Sequence, residues 1–147
     1  MMPSSIIKEL KSEEEILSAF PVMRELRTHL DKETYLKLVL EAQSRDMYQI
    51  FALYVADEIT AVVGFKPMIT LYYGRFVWVC DLVTKETERS SGLGAQLLAY
   101  VESWAKEHDY ENVALSSGIQ REKAHHFYED KMEYEKVSYV FKKNINI

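Results

Sequence analysis

The 147-residue sequence contains a single cysteine, Cys80, and no internal repeat, low-complexity tract or linker. One cysteine excludes an internal disulfide and fits a reducing cytoplasm. Because Cys80 lies in an apolar run, we expect a buried and unreactive thiol. The length predicts one domain, residues 1–147, which is large enough for a hydrophobic core.

The sequence also lacks a basic N-terminal segment, and none of its apolar runs reaches the roughly 18 residues that span a bilayer. Its 18 basic and 23 acidic residues give a net charge of −5, which argues against a nucleic-acid partner and is compatible with a cationic small substrate. No histidine–carboxylate spacing suggests a metal site. We therefore expect a cytoplasmic protein with no signal peptide, membrane partner, nucleic-acid partner or metal.

Hydrophobic periodicity predicts the element order β-α-α-β-β-β-α-β-α-β. Ser12 and Glu15 have the spacing of a capping box at the start of the first helix. An antiparallel meander followed by two β-α units implies an α+β (α/β-like) fold, with a mixed, mostly antiparallel sheet and helices on both faces. The predicted strands are residues 6–10, 50–55, 59–65, 76–84, 112–116 and 136–141, and the predicted helices are residues 12–30 with a break at Pro21, 31–40, 93–105 and 121–131.

A glycine-bearing loop, Arg89-Ser90-Ser91-Gly92-Leu93-Gly94, joins the strand at residues 76–84 to the following amphipathic helix. A helix start offers unpaired backbone N–H groups and partial positive charge, and glycine lets an anion approach closely. This arrangement suggests a cradle for phosphate or pyrophosphate. A tight turn without any ligand is the alternative. The loop lacks both the Gly-Lys-Ser/Thr sequence of a Walker-type site and the third glycine of a dinucleotide fold.

Three blocks in order resemble the GNAT superfamily of N-acetyltransferases: CDLVTKETERSSGLGAQLL, NVALSSGIQREKAHHFYEDK and YEKVSYVFKK. Small bacterial members are especially similar in their ELR.HL, DLVT, RS.G.G and SG..R..AH.FY stretches. The resemblance covers nearly the whole chain. It implies the acyl-CoA N-acyltransferase fold with acetyl-CoA as cosubstrate, and it is compatible with a homodimer.

The resemblance also implies which residues bind the coenzyme. Backbone N–H groups from Ser90 to Ala95 would bind the pyrophosphate, and pantetheine would run along the strand at residues 82–84 through backbone hydrogen bonds. Core packing is the alternative for the Leu82 and Val83 side chains. The implied set is Leu82, Val83, Thr84, Arg89, Ser90, Ser91, Gly92, Leu93, Gly94, Ala95, Ser117, Arg121 and Phe127.

The chain departs from the family pattern at three positions. Ser90 replaces a common glycine but still supplies an N–H group, and Arg121 stands where many members have asparagine. Glu133 stands where a glycine often ends the catalytic helix in a left-handed turn, which favours a shifted turn near Tyr128.

Two side chains are candidates for the chemistry. The resemblance implies that Tyr128 is the general acid, because a phenol with a pKa of about 10 keeps its proton at neutral pH and can protonate a departing thiolate. A core tyrosine is the alternative. Asp81 interrupts an apolar strand and is the candidate base or amine-binding group. The alternative is a carboxylate satisfied by hydrogen bonds or by an ion pair with Arg89 or Arg75.

These features predict an acetyl-CoA-dependent N-acetyltransferase that acts on a primary amine of a small, cationic acceptor by direct transfer in a ternary complex. The alternative is a non-catalytic acyl-CoA-binding or protein-interaction module that retains the fold. No residue pattern identifies the acceptor, because the fold alone does not determine the substrate.

Overall fold

The computed structural model describes residues 4–89 and 91–146, which divide into two compact units at Leu115/Ser116. The first unit contains strands β1 (Ser5–Glu9), β2 (Gln49–Val55), β3 (Glu58–Thr70), β4 (Gly74–Thr84) and β5 (Asn112–Leu115), and helices α1 (Glu13–Ser18), α2 (Phe20–Leu26), α3 (Lys32–Asp46) and α4 (Leu93–Glu107). The second unit contains α5 (Glu122–His126) and a π-helical turn (Phe127–Lys131). No helix in the described residues has the length and apolar content that a membrane crossing requires.

The five strands form one mixed sheet in the order β1-β2-β3-β4-β5. All neighbours pair antiparallel except β4 and β5, which are parallel. This confirms the predicted mixed, mostly antiparallel sheet. The β2–β3 hairpin turns at Ala56 and Asp57, whose positive φ angles of 50° and 66° match the right-handed twist of the strands.

Side-chain caps begin two of the helices in this unit. The Ser12 hydroxyl accepts a hydrogen bond from the Glu15 N–H (3.1 Å), and the Glu15 carboxylate accepts one from the Ser12 N–H (3.0 Å), so the predicted capping box is confirmed. Asp31 caps α3 by accepting a hydrogen bond from the Thr34 N–H (2.7 Å). These caps use the N–H groups that a helix start leaves unpaired.

Strand β2 is apolar from Ile50 to Val55 because helices cover both faces of the sheet. Ile50 and Ala52 are fully buried in the cluster formed with α1, α2 and α3. Phe51 lies on the opposite face, where its ring is 5.1 Å from the Tyr100 ring of α4. The prediction of helices on both faces is therefore confirmed.

A β-bulge divides strand β4 into two parts. Gly64 of β3 lies opposite Asp81, but the next residue, Phe65, lies opposite Val79, so Cys80 is the extra residue. Strand β5 pairs only with Phe76–Val79. The part of β4 after the bulge therefore runs beyond the end of the parallel pairing.

The predicted closing strand is wrong. Residues 132–146 form neither helix nor strand, although their alternating pattern is typical of a strand. Val137, Tyr139 and Phe141 are 61%, 75% and 93% exposed, so the alternation does not mark a buried face. A strand also requires partner N–H and C=O groups, which a period-two pattern does not supply.

Candidate active site

The end of β4 presents backbone hydrogen-bonding groups on the side away from β3. The Lys85 N–H donates to the Thr60 carbonyl (2.8 Å), and Thr84 lies opposite Ala61. In an antiparallel ladder this identifies Thr84 as a residue whose own N–H and C=O point away from β3. Because backbone direction alternates along a strand, Leu82 points the same way.

This outward edge lies beyond the end of β5, whose last partner on β4 is Val79. Leu82 and Thr84 can therefore offer N–H and C=O groups to an extended, amide-rich ligand, and their binding of pantetheine stays a prediction. Val83 differs, because the same alternation directs its backbone toward β3. Its side chain is buried in the core cluster, so the geometry favours the core-packing alternative for Val83.

The start of helix α4 is an open array of backbone donors. Gly92 is the N-cap residue and adopts a left-handed conformation with φ of 83°. In the described part of the chain, no side chain caps this helix and no acidic residue lies in its first turn. Apart from its two chain neighbours, a Cβ atom added to Gly92 would meet no described atom within 4 Å. A helix start leaves its first N–H groups, here those of Leu93, Gly94 and Ala95, without intrahelical partners beside a positive helix end, an arrangement that fits a pyrophosphate.

The remaining loop residues are placed as follows. Ser91 is exposed and directly precedes Gly92, whereas Ser90 lies outside the described residues. Arg89 is exposed, and its Nε donates to the Thr84 carbonyl (3.3 Å) while its Nη2 lies 3.7 Å from Glu25 Oε1. The side chain of Arg89 therefore lies against one of the outward backbone groups that are predicted to hold the coenzyme.

Asp81 is held by two partners that the sequence did not identify. Its Oδ1 accepts a hydrogen bond from Arg27 Nε (2.9 Å), and its Oδ2 accepts one from the Tyr48 hydroxyl (2.8 Å). Both of its oxygens therefore already accept hydrogen bonds, one of them from a guanidinium. The geometry favours the satisfied-carboxylate alternative, with Arg27 as the cation rather than Arg89 or Arg75. The assignment of Asp81 as base or amine ligand stays a prediction.

The Tyr48 side chain packs against Gly64, and its hydroxyl contacts Asp81. Tyr48 is 7% exposed, and a Cβ atom built on Gly64 would lie 1.7 Å from the Tyr48 hydroxyl oxygen. Burial, followed by the nearby Asp81 carboxylate, raises the pKa of the Tyr48 hydroxyl well above its ordinary value, so it stays a proton donor. Gly64 thus provides the space in which the Tyr48–Asp81 hydrogen bond forms.

The second unit carries the remaining predicted residues. Tyr128 and Phe127 are half-buried in the π-helical turn, with ring centroids 5.2 Å apart, and the exposed Arg121 is the N-cap residue of α5. Glu133 adopts φ of 61°, and the Tyr134 N–H donates to the Tyr128 carbonyl (2.8 Å). Glutamate therefore takes the left-handed conformation that glycine usually supplies, but the bond from Tyr134 reaches one residue further back than in the Schellman motif, as expected after a π-helical turn.

The other residues of interest in this unit are Ser117 and the adjacent His125 and His126. The Ser117 hydroxyl oxygen is buried, and within the described residues it has no hydrogen-bond partner. An unpaired buried hydroxyl is costly, so Ser117 fits a residue that bonds to a ligand. His125 Nε2 lies 2.9 Å from the Gly118 carbonyl oxygen, and His126 Nδ1 lies 3.0 Å from Asp130 Oδ2.

Cys80 is half-buried rather than fully buried as expected, but its environment is that of an unreactive thiol. Burial, followed by the nearby Asp81 charge, raises the pKa of the Cys80 thiol to about 12. At that value about one thiol in 10,000 is ionised at pH 8, and only the thiolate is a good nucleophile. This chemistry argues against an acetyl-cysteine intermediate.

We therefore expect iodoacetamide to label the native protein very slowly at pH 8. The rate should rise about tenfold per pH unit up to pH 11, because the thiolate population does so below its raised pKa. Mass spectrometry of timed samples measures the labelled fraction, with protein unfolded in urea as the rapidly labelled control. Equal rates for native and unfolded protein would contradict the assignment.

The sequence model of the Acetyltransferase (GNAT) family matches residues 12–134 of the chain, a range that includes parts of both compact units. The Bacillus subtilis (strain 168) protein named Uncharacterized N-acetyltransferase YhdJ is 42% identical over 139 residues. That similarity covers 95% of this chain and 98% of the relative.

Two solved structures share the fold at low sequence identity. The aminoglycoside N-acetyltransferase AAC(6')-Iy in complex with CoA gives a TM-score of 0.85 at 12% identity, covering 99% of this chain and 97% of that one. A transcriptional regulator from Bacillus halodurans C-125 gives a TM-score of 0.83 at 18% identity, covering 97% of this chain and 100% of that one. Since their names differ in function, these two neighbours establish the fold alone.

Proposed function

The chain belongs to the GNAT family of acetyltransferases and is an N-acetyltransferase, and from this premise we propose that it transfers an acetyl group from acetyl-CoA to a primary amine of a small, cationic acceptor. Transfer is direct, within a ternary complex. The observation that carries the proposal is the start of α4 at Gly92, where among the described residues no side chain caps the helix and a Cβ atom would have open space.

The coenzyme contacts divide into two sets of backbone groups. The N–H groups of Leu93, Gly94 and Ala95 bind the pyrophosphate, and the outward N–H and C=O groups of Leu82 and Thr84 bind the amides of pantetheine. Bound acetyl-CoA supplies an activated acetyl group as a thioester. Ser117 is a further predicted coenzyme-binding residue, because among the described residues its buried hydroxyl has no hydrogen-bond partner.

The transfer step requires a neutral amine and a proton for the leaving sulfur. The amine nitrogen attacks the thioester carbonyl, a C–N bond forms, the C–S bond breaks, and the amine proton passes to water. Tyr128 donates its hydroxyl proton to the departing thiolate and is reprotonated from water. A free amine with a pKa near 10.4 is neutral only about once in 2,500 molecules at pH 7, so desolvation of the acceptor contributes to the rate.

A cationic acceptor is supported by the charge of the chain. The net charge is −5 at pH 7, which favours the approach of polyamines over anionic acceptors. The name of AAC(6')-Iy indicates that one protein with this fold acts on aminoglycosides, which are polycationic amines. The single cysteine, which excludes an internal disulfide, supports a reducing cytoplasm as the location of the protein.

We expect steady-state thiol release when the protein is incubated with acetyl-CoA and an acceptor panel of 1,4-diaminobutane, kanamycin and glycine amide. Tyr128→Phe should lower kcat about a hundredfold, because general acid catalysis contributes at least that much. The Kd for acetyl-CoA, measured by calorimetry, should change less than twofold.

Tyr139→Phe is the matched control, since it removes a hydroxyl from a tyrosine that is 75% exposed in the same unit. This variant should retain wild-type kcat. Unchanged turnover in Tyr128→Phe would rule out Tyr128 as the acid. Tight binding of acetyl-CoA, with no thiol release in the presence of any amine of the panel, would favour the non-catalytic binding module instead.

A further inference from the structure

Arg27, the residue that ends helix α2, forms a two-pronged contact with the bulge of β4. Its Nε donates to Asp81 Oδ1 (2.9 Å) and its Nη2 donates to the Cys80 carbonyl (2.8 Å). The Asp81 side chain is only 17% exposed, so this contact is largely shielded from water. A forked guanidinium can hold both acceptors at once, which a single ammonium cannot.

Arg27 contacts Cys80, the bulge residue that determines which way the backbone groups of the rest of β4 point. Cys80 is the extra residue of the bulge, so it has no partner of its own in the β3–β4 register. A slip of one residue in a strand reverses the direction of every following backbone group and side chain. Without the bulge, Leu82 and Thr84 would turn toward β3, and Val83 would leave the core.

A second contact from the same helix holds the other end of this segment. Glu25 Oε1 accepts a hydrogen bond from the Glu86 N–H (2.7 Å) and lies 3.7 Å from Arg89 Nη2. Helix α2 therefore contacts β4 both at the bulge and just after the strand. The hydrogen bond from Tyr48 orients the Asp81 carboxylate, which also accepts the hydrogen bond from Arg27.

We propose that Arg27 is a positioning residue for acetyl transfer, which holds the β4 bulge so that the backbone groups of Leu82 and Thr84 face the coenzyme. This inference rests on the proposed binding of acetyl-CoA along β4. Arg27 acts through Cys80 and Asp81 and does not itself touch the coenzyme. The contact also assigns a role to Asp81, whose carboxylate orients the guanidinium.

The test compares the Kd for acetyl-CoA, by calorimetry, in wild type, Arg27→Lys, Arg27→Ala and Arg24→Ala. Arg27→Lys retains the charge beside Asp81 but loses the fork, and we expect Kd to rise about tenfold while thermal unfolding stays cooperative. Arg27→Ala should raise Kd further. Because the Arg27 side chain is 39% exposed, millimolar N-ethylguanidinium should enter the vacated space and restore part of the affinity.

Arg24→Ala is the matched control, because Arg24 lies exposed on the same helix and its guanidinium lies over the Phe20 ring. Its Kd should equal that of wild type. An unchanged Kd in Arg27→Lys and Arg27→Ala, with only a lower melting temperature, would overturn the positioning role and leave the proposed function intact. A wild-type protein that does not bind acetyl-CoA would overturn both.

Discussion

Gly64→Ala should lower the free energy of unfolding by about 3–5 kcal/mol, which is a large part of the stability of a typical domain. The added Cβ would lie 1.7 Å from the Tyr48 hydroxyl oxygen and 2.4 Å from Tyr48 Cζ. The tyrosine must then move out of its buried position. The change combines overpacking, about 1–3 kcal/mol, with loss of the hydrogen bond to the Asp81 carboxylate, about 1.5–3 kcal/mol.

A double-mutant cycle tests whether the contact with Tyr48 causes this loss of stability. Tyr48→Ala alone is also destabilising, because it removes a buried aromatic ring. Once the ring is absent, Gly64→Ala should cost less than about 1 kcal/mol, so the two changes should be strongly non-additive. Urea unfolding followed by circular dichroism measures all four free energies.

Gly118→Ala is the matched control for the glycine change. The three described atoms nearest to a Cβ atom at Gly118 belong to the side chain of Gln120, the nearest at 3.0 Å, and both residues are exposed. A flexible exposed side chain can move at little cost, so we expect a change within about 0.5 kcal/mol. A Gly64→Ala protein as stable as wild type would show that Tyr48 relaxes freely and that Gly64 is not required for space.

The sequence predicts the first unit well because each of its signals is local. Ser12 and Glu15 lie three positions apart, and the Asp57 hairpin joins two adjacent apolar runs, so spacing alone indicates these features. The prediction of the closing strand fails because a strand also depends on a distant partner. The alternation at Val137 and Tyr139 is local, but a strand forms only where a partner edge is available.

The candidate site likewise has features that the local sequence indicates and features that depend on distant residues. The position of the loop at Gly92 follows from a strand, a glycine and an amphipathic helix in order, all within one stretch of sequence. The partner of Asp81 does not, because Arg27 is 54 residues away in the sequence and the two side chains meet only in the folded structure. An aspartate in an apolar strand predicts that a cation is needed, but its identity depends on the sheet register.

Two glycines that look alike in the sequence serve different physical purposes. Gly64 lies in a strand and is required for space, since Tyr48 occupies the position of its missing Cβ. Gly92 has open space around the position of its Cβ, but its φ of 83° favours glycine. Only the second glycine lies where a side chain could meet a bound anion.

Gly92→Asp should weaken acetyl-CoA binding about a thousandfold while the protein stays folded. A carboxylate at this position would lie beside the N–H groups of Leu93 and Gly94, where the pyrophosphate is proposed to bind. Two like charges about 4 Å apart repel by about 4 kcal/mol near a protein surface, which corresponds to roughly a thousandfold in Kd. Calorimetry with acetyl-CoA measures the loss, and thermal unfolding verifies that the variant is folded.

Gly92→Asn separates the charge from the shape of the new side chain. Asparagine and aspartate have nearly the same size, and both tolerate a positive φ, so the strain at 83° is common to the two variants. We expect Gly92→Asn to lose less than about tenfold in affinity, and the Asp variant to recover in part at high salt, where charges are screened. Equal Kd values for Asp and Asn would show that no phosphate lies at the start of α4, because a phosphate cradle must distinguish a negative side chain from a neutral one of the same shape.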